Sequence, residues 1–398
     1  MTNLKITRRE LAKGVASCSL AIAFTRQAFG ATPTRTDHRY QAFHPGAEWL
    51  DTNGKPIQAH GGSIISANDW FYWYGENKEF TVDKNSPQSW GIRFYRSKDL
   101  YNWEDLGSLI PPDTEDPDSP LSPKGFPERP HILFNPRTRE YVCWIKIRRD
   151  DPQYRCVLVA DQITGPYRMV QRRLLPAGMA AGDFDIVADP DSGKAYMYFE
   201  HDHKELVCIE LTDDWRATTD RFTTHFQASP PDTTEGIACF RRHEKLYLTA
   251  SGMTGYFPNP SFVAMADDYL GPFTSLGDLH PDDRSRTSYN SQISCIFRHP
   301  RKRDLYIALA DRWCPNLAGE DFESGRLSLN LHSGITKAMS KPPQPITPDE
   351  AKSLRAMSSV GLIGVNTSIS RYVWLPITFE GDRPVIRWQD TWKTEDFA

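Results

Sequence analysis

One unit recurs five times along this chain and limits the fold more than any other feature. Glu235 heads the short apolar run 236–240, a charged turn follows, and a second strand begins around Tyr247. The same order recurs with His60 and Tyr72, Glu128 and Tyr141, Asp185 and Tyr196, and Gln292 and Tyr306. The leading polar residues stand 68, 57, 50 and 57 positions apart. A repeat of this length carrying several short strands belongs to a β-propeller, so the expected fold class is all-β, a five-bladed β-propeller.

The expectation has a geometric consequence. Blades stand radially about an axis, and the innermost strand of each borders the central channel. The residues heading the five inner strands therefore converge on one mouth of that channel: His60, Glu128, Asp185, Glu235 and Gln292. Turn chemistry alone accounts for a polar residue at a strand end. Three carboxylates and one amide in register exceed what turns require.

With 398 residues the chain is long enough to bury a large core, and its net charge of -4 gives no basic stripe of the kind nucleic acid selects. Aromatic residues at 12 % and 30 prolines suit a loop-rich β protein whose rings meet sugar faces. The repeat runs from His60 to the C-terminus without a linker, so 31–398 reads as one domain. Ahead of it, Thr7-Arg8-Arg9, the apolar run 15–24 and the small-residue site Ala28-Phe29-Gly30-Ala31 read as a twin-arginine export signal over 1–30, which would take the chain to the periplasm or beyond. No other run is long enough to span a membrane. Cysteines such as Cys143 and Cys239 sit inside apolar strands, where thiols act as small hydrophobes, and no close pair has metal-ligand spacing. No metal or other cofactor is expected, and oligomeric state is left open.

Further punctuation supports the repeat. Segments 157–167 and 263–273 share an Ala-Asp step followed by a Gly-Pro turn, as outer strands of successive blades would. The stretch from Cys314 to about Ser359 lacks blade pattern; within it Thr347, Pro348 and Glu350 spell a helix start with a capping box. Strands 372–377 and 385–388 then finish the last blade or pair with the first.

Two carboxyl groups facing each other across a sugar-sized pocket are the minimal apparatus for glycoside hydrolysis. One must stay protonated, and burial beside other carboxylates raises its pKa to allow that. Glu235, leading an apolar strand, is the candidate general acid, and Asp185 from the neighbouring blade the group that tunes and orients it. Glu128 and Arg129 face the same mouth as candidate partners of sugar hydroxyls. Tyr256, Trp313 and Trp374 are candidate stacking rings.

At this point the chain resembles glycoside hydrolase family 43, and within it the exo-β-1,3-galactanase branch. The resemblance rests on Ala59-His60-Gly61-Gly62, Tyr72-Trp73-Tyr74-Gly75-Glu76, Glu128-Arg129-Pro130, Ser251-Gly252-Met253-Thr254-Gly255 with Pro258-Asn259, Asn290-Ser291-Gln292, Asp311-Arg312-Trp313 and Tyr372-Val373-Trp374. It implies an inverting, exo-acting hydrolase that removes galactose from β-1,3-linked galactan, with a polysaccharide or oligosaccharide as partner; the alternatives are an exo-glycosidase of other specificity, an arabinofuranosidase or galactofuranosidase, and a non-catalytic carbohydrate-binding propeller. It implies Glu235 as acid, Asp185 as the aspartate beside it, and Glu128 as a sugar-binding carboxylate. It also adds Asn259 and Asp311, with His60, to the binding set. The branch lacks the aspartate base of other members on the first blade, and His60 agrees with that. Gln292 then orients the water, or acts as base through its imidic-acid tautomer. Some members hold a calcium ion, for which His60 is the candidate ligand. Glu235 is followed by Gly236-Ile237 where the branch usually has Ala-Pro, and Gly182-Asp183-Phe184-Asp185 lacks the usual arginine; both departures bear on the identity of the sugar.

Overall fold

The computed structural model describes residues 39–149, 151–229, 231–360 and 365–398; the export-signal reading of 1–30 lies outside them. Twenty strands form five antiparallel four-stranded sheets, each built from four consecutive strands running from the axis outwards. The first comprises β1 to β4 (His60–Ala67, Trp70–Glu76, Ile92–Ser97, Glu104–Ile110), the second β5 to β8 (Pro127–Asn135, Glu140–Ile147, Tyr154–Ala160, Arg168–Leu174). The third holds β9 to β12 (Phe184–Ala188, Ala195–His201, Glu205–Leu211, Thr218–His225) and the fourth β13 to β16 (Glu235–Arg242, Lys245–Ser251, Ser261–Ala266, Thr274–Asp278). The fifth is β17 to β20 (Gln292–Arg298, Tyr306–Arg312, Arg371–Glu380, Arg383–Ile386). Inner strands touch in the cyclic order β1, β5, β9, β13, β17 and back to β1. This is the expected five-bladed β-propeller.

Burial follows from position in the blade. Middle strands are covered by sheets on both faces, so β7 is buried along its whole length and reads as an unbroken apolar run apart from Arg155. Outermost strands such as β8 carry arginines along the free edge, which discourages pairing with another chain.

The ring closes without exchanging a strand between its first and last blades. β19 and β20 complete blade five, so pairing of these strands with blade one is ruled out. The seam is sealed by side chains. Phe43 stacks on Trp392 at 4.2 Å and their backbones form a bridge, while Trp49, Trp73 and Trp374 interlock beneath. Across the same seam the Tyr372 hydroxyl donates to the Ile57 carbonyl and accepts from the Ala59 N–H.

The patternless stretch between β18 and β19 holds three helices, α1 (Glu320–Glu323), α2 (Arg326–Met339) and α3 (Pro348–Val360). α3 begins at the expected capping box: Glu350 N donates to Thr347 Oγ1 and Thr347 N to Glu350 Oε2. The helices bury Phe322, Leu331 and Ile335 against Phe257, steadying the loop that carries Tyr256.

Candidate active site

The strand heads are not regular, and the irregularity builds the site. In β1, β5 and β13 the pairing slips just after the first residues: His60 faces Glu76 but Ser63 faces Tyr74, Glu128 faces Lys146 but His131 faces Trp144, and Glu235 faces Ser251 but Ala238 faces Thr249. Each is a β-bulge with a residue in the left-handed region, Gly61, Arg129 or Gly236. On a regular strand neighbours point to opposite faces; the bulge lets Glu128 and Arg129 line one cavity together. Gly236 is also required by space, since a Cβ there would lie 2.9 Å from Gln292 Cγ.

The cavity, about 280 Å³, lies at the channel mouth among Glu76, Glu128, Arg129, Asp183, Glu235 and Gln292, with Lys146, Arg148, Gln153, His203, Tyr256 and Trp313 completing its wall. A chain of ion pairs runs through it. Arg148 Nε meets Glu128 Oε1 at 2.9 Å, Lys146 Nζ lies 3.2 Å from Glu128 and 2.9 Å from Asp183, and Arg129 Nε lies 2.8 Å from Asp183. Lys78 pairs with Glu76 at 2.6 Å. Burial alone would raise Glu128, but Arg148 and Lys146 outweigh it and hold the carboxyl down at about 2. Asp183 is likewise buried, yet Arg129 and Lys146 keep it well below the usual carboxylate range.

Glu235 is the exception. No lysine or arginine pairs with it among the described residues, and its pKa is pushed well above the ordinary value, first by burial and then by Asp183 and Glu200. Asp183 also fixes the strand head that carries Glu235, its Oδ2 accepting from Gly236 N at 3.0 Å. A carboxyl raised beside Glu128 and Asp183, which are both lowered, is what acid catalysis at a glycosidic oxygen needs.

Gln292 is held by donors on its oxygen. Arg129 donates to Oε1 at 2.7 Å and the Trp313 indole at 3.3 Å, while Nε2 donates to Ser251 Oγ at 3.2 Å. Neither arginine nor indole accepts a hydrogen bond, so this setting favours the amide form with its oxygen bare.

Of the residues expected at the mouth, the structure brings together Glu235, Glu128, Arg129, Gln292, Tyr256 and Trp313. Asp185 is not among them. It sits one step further down the same face of β9, its oxygens accepting from Ile186 N and Cys239 N and pairing with His131 Nδ1 at 3.1 Å. Asp183, two residues earlier, takes the place beside Glu235. His60 and Asp311 are also corrections. Both are buried, Asp311 accepting from Gly61 N and meeting His60 Nδ1 at 2.9 Å, while His60 Nε2 meets the Tyr372 hydroxyl. They join blade one to blade five, and with both ring nitrogens engaged His60 does not fit a calcium ligand; no cluster of three candidate metal-binding side chains occurs among the described residues. Asn259 spends its amide on Gly252 and Thr254, shaping the loop before Tyr256. Trp374 is buried among Phe43, Trp49, Trp73 and Trp103 and offers no face to a sugar.

Sequence reasoning missed Asp183, Glu76, Lys146, Arg148 and His203. Two of them were within reach of the strand pattern. Glu76 ends β2 and Lys146 is the last residue but one of β6, and hairpin pairing sets them opposite His60, which heads β1, and Glu128, the second residue of β5.

Comparison with known proteins agrees with this fold. A β-1,3-galactosidase of family GH43 superposes with a TM-score of 0.69 at 27 % identity, over 89 % of this chain and 64 % of that one. An exo-β-1,3-galactanase from Phanerochaete chrysosporium, solved with β-1,3-galactotriose, shares the fold with a TM-score of 0.68 at 24 % identity, over 89 % of this chain and 68 % of the other. A curated Escherichia coli (strain K12) protein, named provisionally as a β-xylosidase, is 23 % identical over 215 residues, which is 50 % of this chain and 38 % of that protein. The chain thus spans less than two thirds of the curated relative and of the first of these structures. The model of glycosyl hydrolases family 43 matches residues 56–294, more than half of the chain, so this protein belongs to that family.

Proposed function

We propose that the chain is an exo-acting, inverting hydrolase releasing galactose from the non-reducing end of β-1,3-linked galactan. The observation that carries the reading is the contrast at the channel mouth: Glu235, with no lysine or arginine partner among the described residues, is raised, beside Asp183 and Glu128, which paired cations hold low. The small cavity suits one terminal sugar, below the usual range for larger ligands, and supports exo action. Glu128 accepts hydrogen bonds from sugar hydroxyls, and Tyr256 with Trp313, 5.3 Å apart, forms the apolar wall.

In this reading the Glu235 carboxyl gives its proton to the glycosidic oxygen as the bond to the anomeric carbon breaks. A water on the opposite face of the ring, oriented by the Gln292 amide, forms the new bond and gives up its proton to bulk water. Glu76, Glu128 and Asp183 are each tied to a cation, which leaves the neutral amide to hold the water. The test is product analysis on β-1,3-galactan, with other β-galactans, arabinan and xylosides alongside. Free galactose appearing first as the α-anomer from wild type, and none from Glu235→Gln, is the expected result. Release of a different sugar, or of oligosaccharides, overturns the galactose or the exo assignment.

A further inference from the structure

An inverting hydrolase ends each turnover with its acid deprotonated, so a proton must return to a carboxylate that is only partly open to solvent. The β10–β11 turn supplies a group placed for that task. His203 Nδ1 stands 3.3 Å from Glu235 Oε1 and 3.3 Å from Glu200 Oε2. Nδ1 is sealed from solvent and is in hydrogen-bond geometry with neither carboxylate, yet the side chain as a whole is 34 % exposed, against 15 % for Glu235 and 2 % for Glu200. The remainder of the ring therefore meets water while Nδ1 faces the acid. Glu200 Oε2 accepts from His203 N at 2.8 Å and pins the turn, in which Asp202 and His203 both adopt left-handed backbone.

We propose that His203 is the proton shuttle that reloads Glu235, an inference that rests on Glu235 being the general acid. The imidazolium passes its Nδ1 proton to the Glu235 carboxylate and becomes neutral. A turn of the ring about Cβ–Cγ brings the bare nitrogen to solvent, where a proton from hydronium or a buffer acid restores the imidazolium. One proton enters from water for each delivered, matching the one released when water attacks the sugar. Imidazole is the side chain suited to exchange at ordinary pH. Around the path, Asp183 and Glu200 make Glu235 hold its proton, Lys146 and Arg129 oppose them, and Asp202 and Lys204 flank His203 on its own turn.

A shuttle matters only after the first turnover, because a general acid must enter that turnover already carrying its proton. Rapid-quench kinetics at pH 8 in dilute buffer would compare wild type with His203→Gln and His203→Asn. The expected result is a burst of one equivalent of sugar at the wild-type rate, then a steady state roughly 100-fold slower, the low end for lost proton-transfer groups, with KM falling alongside kcat so that kcat/KM holds, and the rate restored by added imidazole. A slowed first turnover unmoved by imidazole would make His203 a structural residue, and a raised KM at unchanged kcat a sugar contact; either overturns the shuttle. Wild type active and Glu235→Gln inactive, with no burst in the His203 variants, removes the shuttle alone. Wild type inactive on every glycan removes the reading beneath it.

Discussion

The channel mouth at blades two to four and the seam between blades five and one use the same strand-head positions for opposite ends. At the mouth, Glu128, Asp183 and Glu235 keep enough access to solvent and enough unsatisfied chemistry to meet a ligand. At the seam, His60 and Asp311 consume their hydrogen bonds on each other, on Gly61 N and on Tyr372, beside a stack of tryptophans. A propeller made of consecutive blades has to join its ends somewhere, and here the join uses two polar residues that register alone would assign to the pocket. Position on the repeat says where a residue stands; its partners across the blade decide what it does.

The division predicts unequal responses. Glu235→Gln keeps shape and removes the proton, so kcat should fall about 1000-fold, within the range for general acids, with melting temperature unchanged; a variant retaining a tenth of the activity would break the assignment. Asp183→Asn should cost about 100-fold and move the alkaline limb of the pH profile. The sign follows from charge: anionic Asp183 raises Glu235, so its removal lets Glu235 lose its proton sooner and the limb shifts to lower pH. A limb that shifts in Asp185→Asn and stays in Asp183→Asn would restore the deeper residue as the tuning group. Trp374→Ala at the seam should do the reverse, destabilising by about 3–5 kcal/mol as large core truncations do, while the folded fraction keeps its kcat and KM.

Asp185 tests the boundary between the two regions. Burial raises its pKa to about 7, against the two backbone N–H groups that favour the anion. A carboxyl whose folded pKa exceeds its unfolded value binds more protons folded than unfolded across that interval, so it contributes stability below about pH 4 that is lost as pH rises to about 7. Asp185→Asn should flatten that part of the stability profile by up to about 4 kcal/mol and leave the Glu235 limb in place. Equilibrium unfolding at a series of pH values reads it directly.

The number of blades and the place of Glu235, Glu128 and Gln292 at the channel mouth were legible because a propeller repeats its strand heads at fixed spacing. The error at Asp185 was one of depth. Asp183 and Asp185 share a face of the strand, period-2 reasoning cannot separate them, and only the tertiary position of Gly236 N and Arg129 shows which stands level with Glu235. The bulges were hidden for a related reason, since Gly61 and Gly236 hint at left-handed backbone but Arg129 does not. His203 lies on a hairpin turn rather than an inner strand, so no repeat position points to it. Trp374 sits in an apolar strand that, read alone, does not separate a buried ring from a sugar platform.

The smallest expected effect is at Gln292, and it bears on whether the mouth needs a neutral group. Gln292→Glu keeps the two donors to Oε1, because a carboxylate accepts from Arg129 and Trp313 as well as an amide does, and Ser251 Oγ can turn to donate where it now accepts. The fold should therefore hold. The substitution does add an anion to a pocket where every other carboxylate but Glu235 has a cation, and that charge opposes ionisation of Glu235. The alkaline limb should move to higher pH, opposite to Asp183→Asn, and kcat should drop about tenfold, below the usual contribution of a proton-transfer group, because the water loses an amide N–H that helped place it. If the amide acted as base through an imidic-acid form, a true carboxylate base would bring a new acidic limb and no loss of rate. Full activity with both limbs unmoved would mean that a hydrogen-bond acceptor for Arg129 and Trp313 is all that the position supplies.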